Sequence, residues 1–571
     1  MQNHAYEAVP EGARRMLHRR IGTAIEQLHV ECVPGLARDL ARHFDRGREP
    51  AKAAAYYQAW AQRALQVHAA DEALEALDRA AELCAGSDDA LYDILELRER
   101  VYARAGLREQ QLADIERLHE LARATGDPAR MLEHERRRIL YARAVDDLPE
   151  QQNATRRLGE LAARVPGTYW TAFGSESAAA CMRARGKYDE ALREARAALQ
   201  AYESCGEDGG RVRVLGLIAD VCGLLAMPQA VKDAIDQGLR VARESSNESH
   251  MIAALDSASR WAYRSNEYDL CEDLSNKGLA LCRTTGDREG EAEAWFRLGN
   301  VAGRRFDVAQ AMRALETAAQ LYDAVNKPLG TAMVLANAGV LHLKVGEFEL
   351  AVRSFVRARV IFFRLGDLRG RTICSINLGM AAYCTSRYAS ARRISGIALK
   401  LATELGTPAL ICAALSNLGA AERESGDLPA ALAHCEESMH LRRAKASVDI
   451  ASDLADLGLT YLASGNLPEA VAIATEISTL ERALLESVMY PQGVMWSAAR
   501  IFAAARHEES YLRALGRASA LRAERIEAIA PGPSRETYRG MLCNREILGA
   551  SQGESDGVRT RCLHTEAREH R

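Results

Sequence analysis

The sequence predicts an all-α fold, an α-α superhelix of about twelve stacked helical hairpins, from three observations. Apolar residues recur at i, i+3, i+4 and i+7 along almost all of the 571 residues, and alternating Val/Ile-rich stretches are missing. A longer period of about forty residues overlies the helical one. Residues that end and start helices fall at fixed places within that period.

The first element to justify is the repeat itself. The segments Trp295-x-x-Leu298-Gly299, Leu335-x-x-Ala338-Gly339, Ser375-x-x-Leu378-Gly379, Leu415-x-x-Leu418-Gly419 and Leu454-x-x-Leu457-Gly458 place glycines 40, 40, 40 and 39 residues apart. Twelve residues after each glycine comes Ala311, Ala351, Ala391, Ala431 or Ala470. Seven further on lie Ala318, Ala358, Ala398, Ser438 and Ile477. Small side chains at fixed spacing allow two helices to approach closely, and the large residues between them fill the gaps of a stack.

On these residues the chain resembles the tetratricopeptide repeat (TPR). Its pattern has a large residue at position 4, Leu at 7, Gly or Ala at 8, an aromatic at 11 and small residues at 8, 20 and 27. Residues 292 to 325 carry the pattern most clearly, with Trp295, Leu298, Gly299, Ala311 and Ala318. The register extends backwards through Ser259, Ile218, Ala179, Ile139, Glu99 and Ala61 at position 8, and forwards to Ala498. Glu99 and Ile139 mark degenerate copies.

Turn chemistry tests the register independently. Position 15 is Gly at Gly106, Gly186, Gly346, Gly426 and Gly465, as suits the residue just past a helix end. Position 18 is Pro at Pro149, Pro228, Pro429 and Pro468, in the first turn of the second helix, where a missing N–H costs nothing. About six residues follow the usual 34, often Gly126-Asp127-Pro128, Gly286-Asp287, Gly366-Asp367 or Gly406-Thr407-Pro408, so the helices are slightly longer than in the 34-residue repeat.

The ends differ from the middle. Residues 1–53 read as an N-terminal helical cap or junction, 54–530 as the solenoid and 531–571, beyond Pro531-Gly532-Pro533, as a poorly ordered tail. Two amphipathic helices are expected over Arg14 to Leu28 and Gly35 to Phe44. With Leu17-His18-Arg19-Arg20-Ile21-Gly22 they are similar to the junction after the ATPase module in STAND-class signalling ATPases and large LuxR-type bacterial regulators. That resemblance, over residues 11 to 85, implies the sensor arm of a signal-transduction or transcription-regulatory system, acting with a separate or missing ATPase module.

Composition narrows the function. With 74 Lys+Arg against 78 Asp+Glu, the net charge of −4 supplies no footprint for nucleic acid or an anionic membrane. Neither an apolar run of membrane-spanning length nor a signal-peptide core is present, which leads us to expect a cytoplasmic protein. The thirteen Cys form no C-x-x-C pair and read as small buried hydrophobes in a reducing compartment. Neither a phosphate-binding G-x-x-x-x-G-K-[ST], nor H-E-x-x-H, nor G-x-S-x-G occurs; Gly186-Lys187-Tyr188 is a repeat turn. A helix-turn-helix after the solenoid is likewise missing. His68, His119, His342 and His434 lie singly and read as packed or solvated. No enzyme, cofactor or metal is expected.

The remaining constellation is geometric. In the repeat that this chain resembles, positions 2, 5, 6, 9, 12 and 13 of each first helix face a concave, partner-binding wall. Position 6 reads Arg297, Asn337, Asn377, Asn417 and Asp456, a ladder whose amides could pair with an extended peptide backbone whatever its sequence. Arg260, Arg264, Arg297, Asn300 and Arg304, followed by Lys344, Tyr383 and Arg423, make a cationic stretch suited to an acidic motif. The opposing reading is a solvated face in a chain with 66 Arg. The cluster Phe355, Ile361, Phe362 and Phe363 is expected to be core. The leading function is a protein- or peptide-binding scaffold; a small-molecule inducer sensor and a purely structural assembly scaffold are the alternatives.

Overall fold

The computed structural model describes residues 9–28, 33–66, 69–84, 86–165, 167–444 and 450–552. Cys32, His68 and Cys562 lie outside the described residues. Among the described residues there are 29 helices and no strand. Two helices, Glu11–Leu28 and Val33–Arg46, precede the first hairpin, Pro50–Gln66 with Ala70–Leu83. From there the first helix of each pair begins at Asp88, Pro128, Thr168, Asp208, Glu248, Arg288, Pro328, Leu368 and Pro408. These starts are forty residues apart, as the glycine spacing predicts. The series ends with Ile450–Ala463 paired with Leu467–Thr479, then Pro491–Ala504 paired with Glu508–Ala528, a short helix Arg482–Ser487 lying between the two pairs.

Position 8 is glycine because there is no room for more. A Cβ on Gly339 would lie 2.7 Å from the Phe355 ring, and one on Gly299 would lie 3.0 Å from Leu315. In these two repeats the large residue sixteen positions later fills the space that the glycine vacates. Phe355 and Ala358 are completely buried by this packing. Of the expected aromatic core cluster, Phe355 and Phe362 are buried and Ile361 is half-buried, but Phe363 is 64% exposed, with Arg371 stacked 4.9 Å over its ring. Phe363 follows Phe362 directly, so the helix turns it about 100° further round, out of the buried stripe.

The turn at position 15 is left-handed whatever residue occupies it. Gly106, Gly186, Gly346, Gly426 and Gly465 have φ between 75° and 85°, while Asp146, Ala226, Asn266, Phe306, Ser386 and Arg506 take φ between 56° and 66° at the same point of their hairpins. Glycine relieves this strain but is not required for the turn. The Gly-Asp junctions combine two devices: Gly366 closes one helix at φ 70°, and Asp367 caps the next by accepting from the Gly370 N–H at 2.9 Å. Such a cap contributes about 1 kcal/mol.

The chain divides into two units, residues 1–297 with 320–328, and residues 298–319 with 329–571. In the first, hairpins far apart in sequence meet again. Arg104 Nη2 donates to the Thr285 carbonyl at 2.9 Å, and Lys327 Nζ donates to the Arg143 carbonyl at 2.9 Å beside Asp146 and Glu289. The degenerate copies bury polar groups beside the apolar ones: Glu99 accepts from Gln111 Nε2 at 2.7 Å, and Arg137, 1% exposed, bridges Glu96 and Glu133.

In the second unit the segment expected to be a poorly ordered tail instead carries two helices, Pro533–Gly540 and Leu542–Ser551. Tyr538 and Met541 are buried with Ile526 and Ile529 against Phe306 and Val345, and Ser534 Oγ donates to Glu347 at 2.6 Å. The aperiodic sequence concealed these helices because their apolar residues serve a contact over 180 residues away, not a repeat. Residues 553–571 lie outside the described residues.

Candidate functional site

The candidate residues sit where successive first helices are neighbours. Side chains one repeat apart therefore touch, and the face is built from contacts spanning about forty residues. In the first unit, Arg297 is 7% exposed; its Nη2 lies 3.1 Å from Asp256 Oδ1 and 3.5 Å from Glu293 Oε2. Arg260 reaches Asp220 at 3.6 Å and Asp256 at 3.4 Å, and Arg264 reaches Asp220 at 3.5 Å. Three arginines and three carboxylates thus alternate. Burial raises the Asp256 carboxyl, but Arg260 and Arg297 outweigh it and hold the group below its ordinary value. Glu293 is raised, by burial and by Asp256. The expected cationic stretch is therefore charge-balanced at Arg260, Arg264 and Arg297. Asp220, Asp256 and Glu293 were the residues missed, and the signal lay in the sequence: Asp256/Arg260 and Glu293/Arg297 are each an acid four residues ahead of an arginine on one helix face.

In the second unit the asparagines do not behave alike. Asn337 Nδ2 donates to Asn300 Oδ1 at 2.6 Å, tying two neighbouring first helices. Asn417 Nδ2 donates to the Ile376 carbonyl at 3.0 Å and ties the next pair. Asn377, half-buried at the same phase, makes no hydrogen bond among the described residues. Lys344 Nζ donates to the Gly303 carbonyl at 3.1 Å and sits 5.3 Å from the centre of the Phe306 ring. Burial, with Arg304 and Arg525 nearby, pulls its ammonium down to about 8. No carboxylate among the described residues lies within ion-pair distance of Lys344. Arg304 is exposed.

Further along, Arg423 is 8% exposed and anchored on every side. Its Nη2 donates to Tyr383 Oη at 2.9 Å; its Nη1 donates to the Asp456 carbonyl at 3.1 Å and lies 3.4 Å from Asp456 Oδ1. Asp456 also accepts from Ser416 Oγ at 2.9 Å. Burial pushes the Asp456 carboxyl up against the pull of Arg423. Tyr383, Arg423 and Asp456 thus lock three consecutive repeats together, and their polar groups are largely spent on one another.

The arrangement offers hydrogen-bonding amides and one desolvated ammonium. The expected solitary histidines have partners: His119 stacks on His134 at 4.1 Å between ring centres, His342 meets Glu347 at 2.6 Å and His434 meets Glu422 at 2.7 Å. Among the described residues, no group of three or more His, Cys, Asp or Glu could hold a metal ion. Nor is any described helix long and apolar enough to cross a membrane.

A family model for the tetratricopeptide repeat matches residues 410–480, the stretch containing Leu415-x-x-Leu418-Gly419, Pro429, Ala431 and Gly465. Residues 410–480 carry the tetratricopeptide repeat. The register and hairpin geometry of the matched stretch recur through the other forty-residue hairpins of both units. No curated protein matches the sequence. Among solved structures the chain is similar to the Cut9 and Hcn1 hetero-tetramer of the APC/C, at 15% identity over 84% of this chain and 96% of that one, with a TM-score of 0.49. It is also similar to a Rap protein complexed with competence and sporulation factor, at 12% identity over 63% of this chain and 100% of that one, with a TM-score of 0.42. A third is a Signal Transduction ATPase with Numerous Domains carrying a tetratricopeptide repeat sensor, from Pyrococcus horikoshii. It is 14% identical over 73% of this chain and 54% of that one, with a TM-score of 0.37. A TPR array of this kind is a scaffold type used for protein–protein interaction.

Proposed function

We propose that the protein is a non-catalytic, cytoplasmic scaffold that binds a protein or peptide along the first-helix face of its second unit. The observation that carries this reading is Asn377, whose amide has no hydrogen-bond partner among the described residues although Asn337 and Asn417, at the same phase one repeat to either side, have theirs. An unspent amide between two anchored ones is placed to pair with a ligand backbone as both donor and acceptor. Lys344 adds a cation with no carboxylate partner among the described residues, which favours an acidic group on the ligand. Since each repeat is stabilised mainly by its neighbours, the array can tighten around what it binds. The resemblance of residues 11 to 85 to the junction of STAND-class and LuxR-type regulators supports a wider role as the sensor arm of such a system.

The test is a pull-down from the source cell with the wild type, Asn377→Ala, and the Asn337/Asn377/Asn417→Ala triple variant, the captured proteins being identified by mass. The expected outcome is a folded triple variant that loses a partner retained by the wild type, with Asn377→Ala alone weakening capture. Equal recovery by all three chains would shift the reading to a scaffold whose groove is idle.

A further inference from the structure

The cavity that stands apart from the groove lies in the first unit, among helices Glu248–Arg264, Tyr268–Thr285 and Arg288–Arg304. It has a volume of about 320 Å³. Its origin is readable in the repeat. In two of the following repeats a large residue sixteen positions on fills the space beside position 8, Leu315 at Gly299 and Phe355 at Gly339, whereas Gly379 with Ser395 and Gly419 with Cys435 are pairs of small residues in direct contact. Here the pair is Ser259 and Ser275, two small side chains, and position 27 is Gly278 where the following repeats have Ala318 and Ala358. A Cβ on Gly278 would meet only Leu255, at 3.9 Å. The space that Leu315 or Phe355 fills in a neighbouring repeat is left open.

Its lining is chemically one-sided. Asp256, Asp287, Glu289 and Glu293 line it; no Lys, Arg or His does. Ile252, Leu255 and Leu274 supply apolar wall. Ser275 is 3% exposed and its hydroxyl has no hydrogen-bond partner among the described residues, whereas the Ser259 hydroxyl is spent on the Asp256 carbonyl. Asp256, Glu289 and Glu293 each have a cation within 4 Å: Arg260 and Arg297, Lys327 and Arg108, and Arg297 respectively. Asp287 has none among the described residues; it accepts from the Gly290 N–H at 2.9 Å. Arg104 acts on Asp287 only from beyond ion-pair distance, and a desolvated carboxylate with no cation in contact, like a buried hydroxyl without a hydrogen bond, is costly unless something satisfies it.

We propose that this cavity binds a small organic cation, a primary alkylammonium, whose charged end pairs with Asp287 and donates to Ser275 Oγ while its alkyl chain lies against Ile252, Leu255 and Leu274. The volume, roughly ten times that of one water molecule, admits a short chain but not a peptide. This inference is independent of the groove reading and concerns a different class of ligand.

The experiment is calorimetric titration and thermal unfolding of the full chain with putrescine, with 1,4-butanediol as the neutral analogue. Two variants accompany the wild type. Asp287→Asn retains a helix-capping side chain while removing the charge. Ser275→Leu fills the cavity with the residue found at Leu315. Putrescine is expected to bind the wild type with one site and raise its melting temperature. Asp287→Asn should weaken binding at least tenfold, and Ser275→Leu should abolish it without lowering the melting temperature of the unliganded chain. The proposal is overturned by no heat and no shift with millimolar putrescine, by equal binding of butanediol, or by putrescine binding that persists in a folded Ser275→Leu chain, which would place it elsewhere on the surface. Should Ser275→Leu fail to fold, unchanged affinity in Asp287→Asn overturns it equally.

Discussion

At the scale of single residues, the molecule uses buried ion pairs as connectors between repeats. Glu176, 3% exposed, receives Arg213 Nη2 at 3.0 Å, Arg143 Nη1 at 3.1 Å and Tyr202 Oη at 2.7 Å. Burial alone would raise its carboxyl, yet the two arginines and the tyrosine bring it down to about 2. A carboxyl depressed on folding stabilises the native state fully above its unfolded pKa and loses that contribution as pH falls through the folded one. Urea unfolding of the wild type should therefore weaken steadily from about pH 5 towards pH 2, while Glu176→Gln should show a flatter profile over that range. At neutral pH the variant should be less stable by about 1–3 kcal/mol, because the arginines lose their carboxylate. Parallel pH profiles for the two chains would show that Glu176 titrates as it does in the unfolded state.

The same scale explains what was legible in the candidate site. Asn337, Asn377 and Asn417 share a phase that spacing alone reveals. Which of them is already bonded does not follow from spacing: Asn337 has Asn300 beneath it, Asn417 reaches a carbonyl, and Asn377 finds neither. Likewise the arginines of the first unit were legible as a cluster, but their neutralisation depends on Asp220 and Asp256 arriving from neighbouring helices.

At the scale of the element, helix-to-helix distance is set by the glycine at position 8. Gly339→Ala would force a methyl to within 2.7 Å of the completely buried Phe355 ring. Overpacking of this kind should destabilise the second unit by about 1–3 kcal/mol. Gly396 is the contrasting case. It lies inside the helix Tyr388–Leu405 with nothing near an added Cβ, so Gly396→Ala should stabilise by about 0.5–1 kcal/mol through helix propensity. Chemical denaturation of the two single variants checks both signs, and a neutral Gly339→Ala would mean that the helices part to admit a methyl at little cost.

At the scale of the whole molecule, each unit closes contacts that the repeat does not announce. Tyr538 and Met541 cover Phe306 and Val345 in the second unit, Phe306 lying at the left-handed turn position of its hairpin with φ 66°. A chain ending at Ala530 should lose at least about 3 kcal/mol relative to one ending at Gln552, from re-exposing these apolar side chains. Differential scanning calorimetry of the two truncations would detect the loss as a lower melting temperature, and equal melting temperatures would show the covering helices to be dispensable.

The sequence alone determined the all-helical class, the forty-residue hairpin, the turn positions and the shared phase of Asn337, Asn377 and Asn417. Each of these is a local or nearest-neighbour requirement, stated again in every copy. Tertiary structure decided which polar side chains are spent on one another, where a mismatched Ser259–Ser275 pair opens a cavity, and how the aperiodic C-terminal segment folds. Those outcomes depend on single contacts between residues tens to more than two hundred positions apart. A contact made once leaves no period to read.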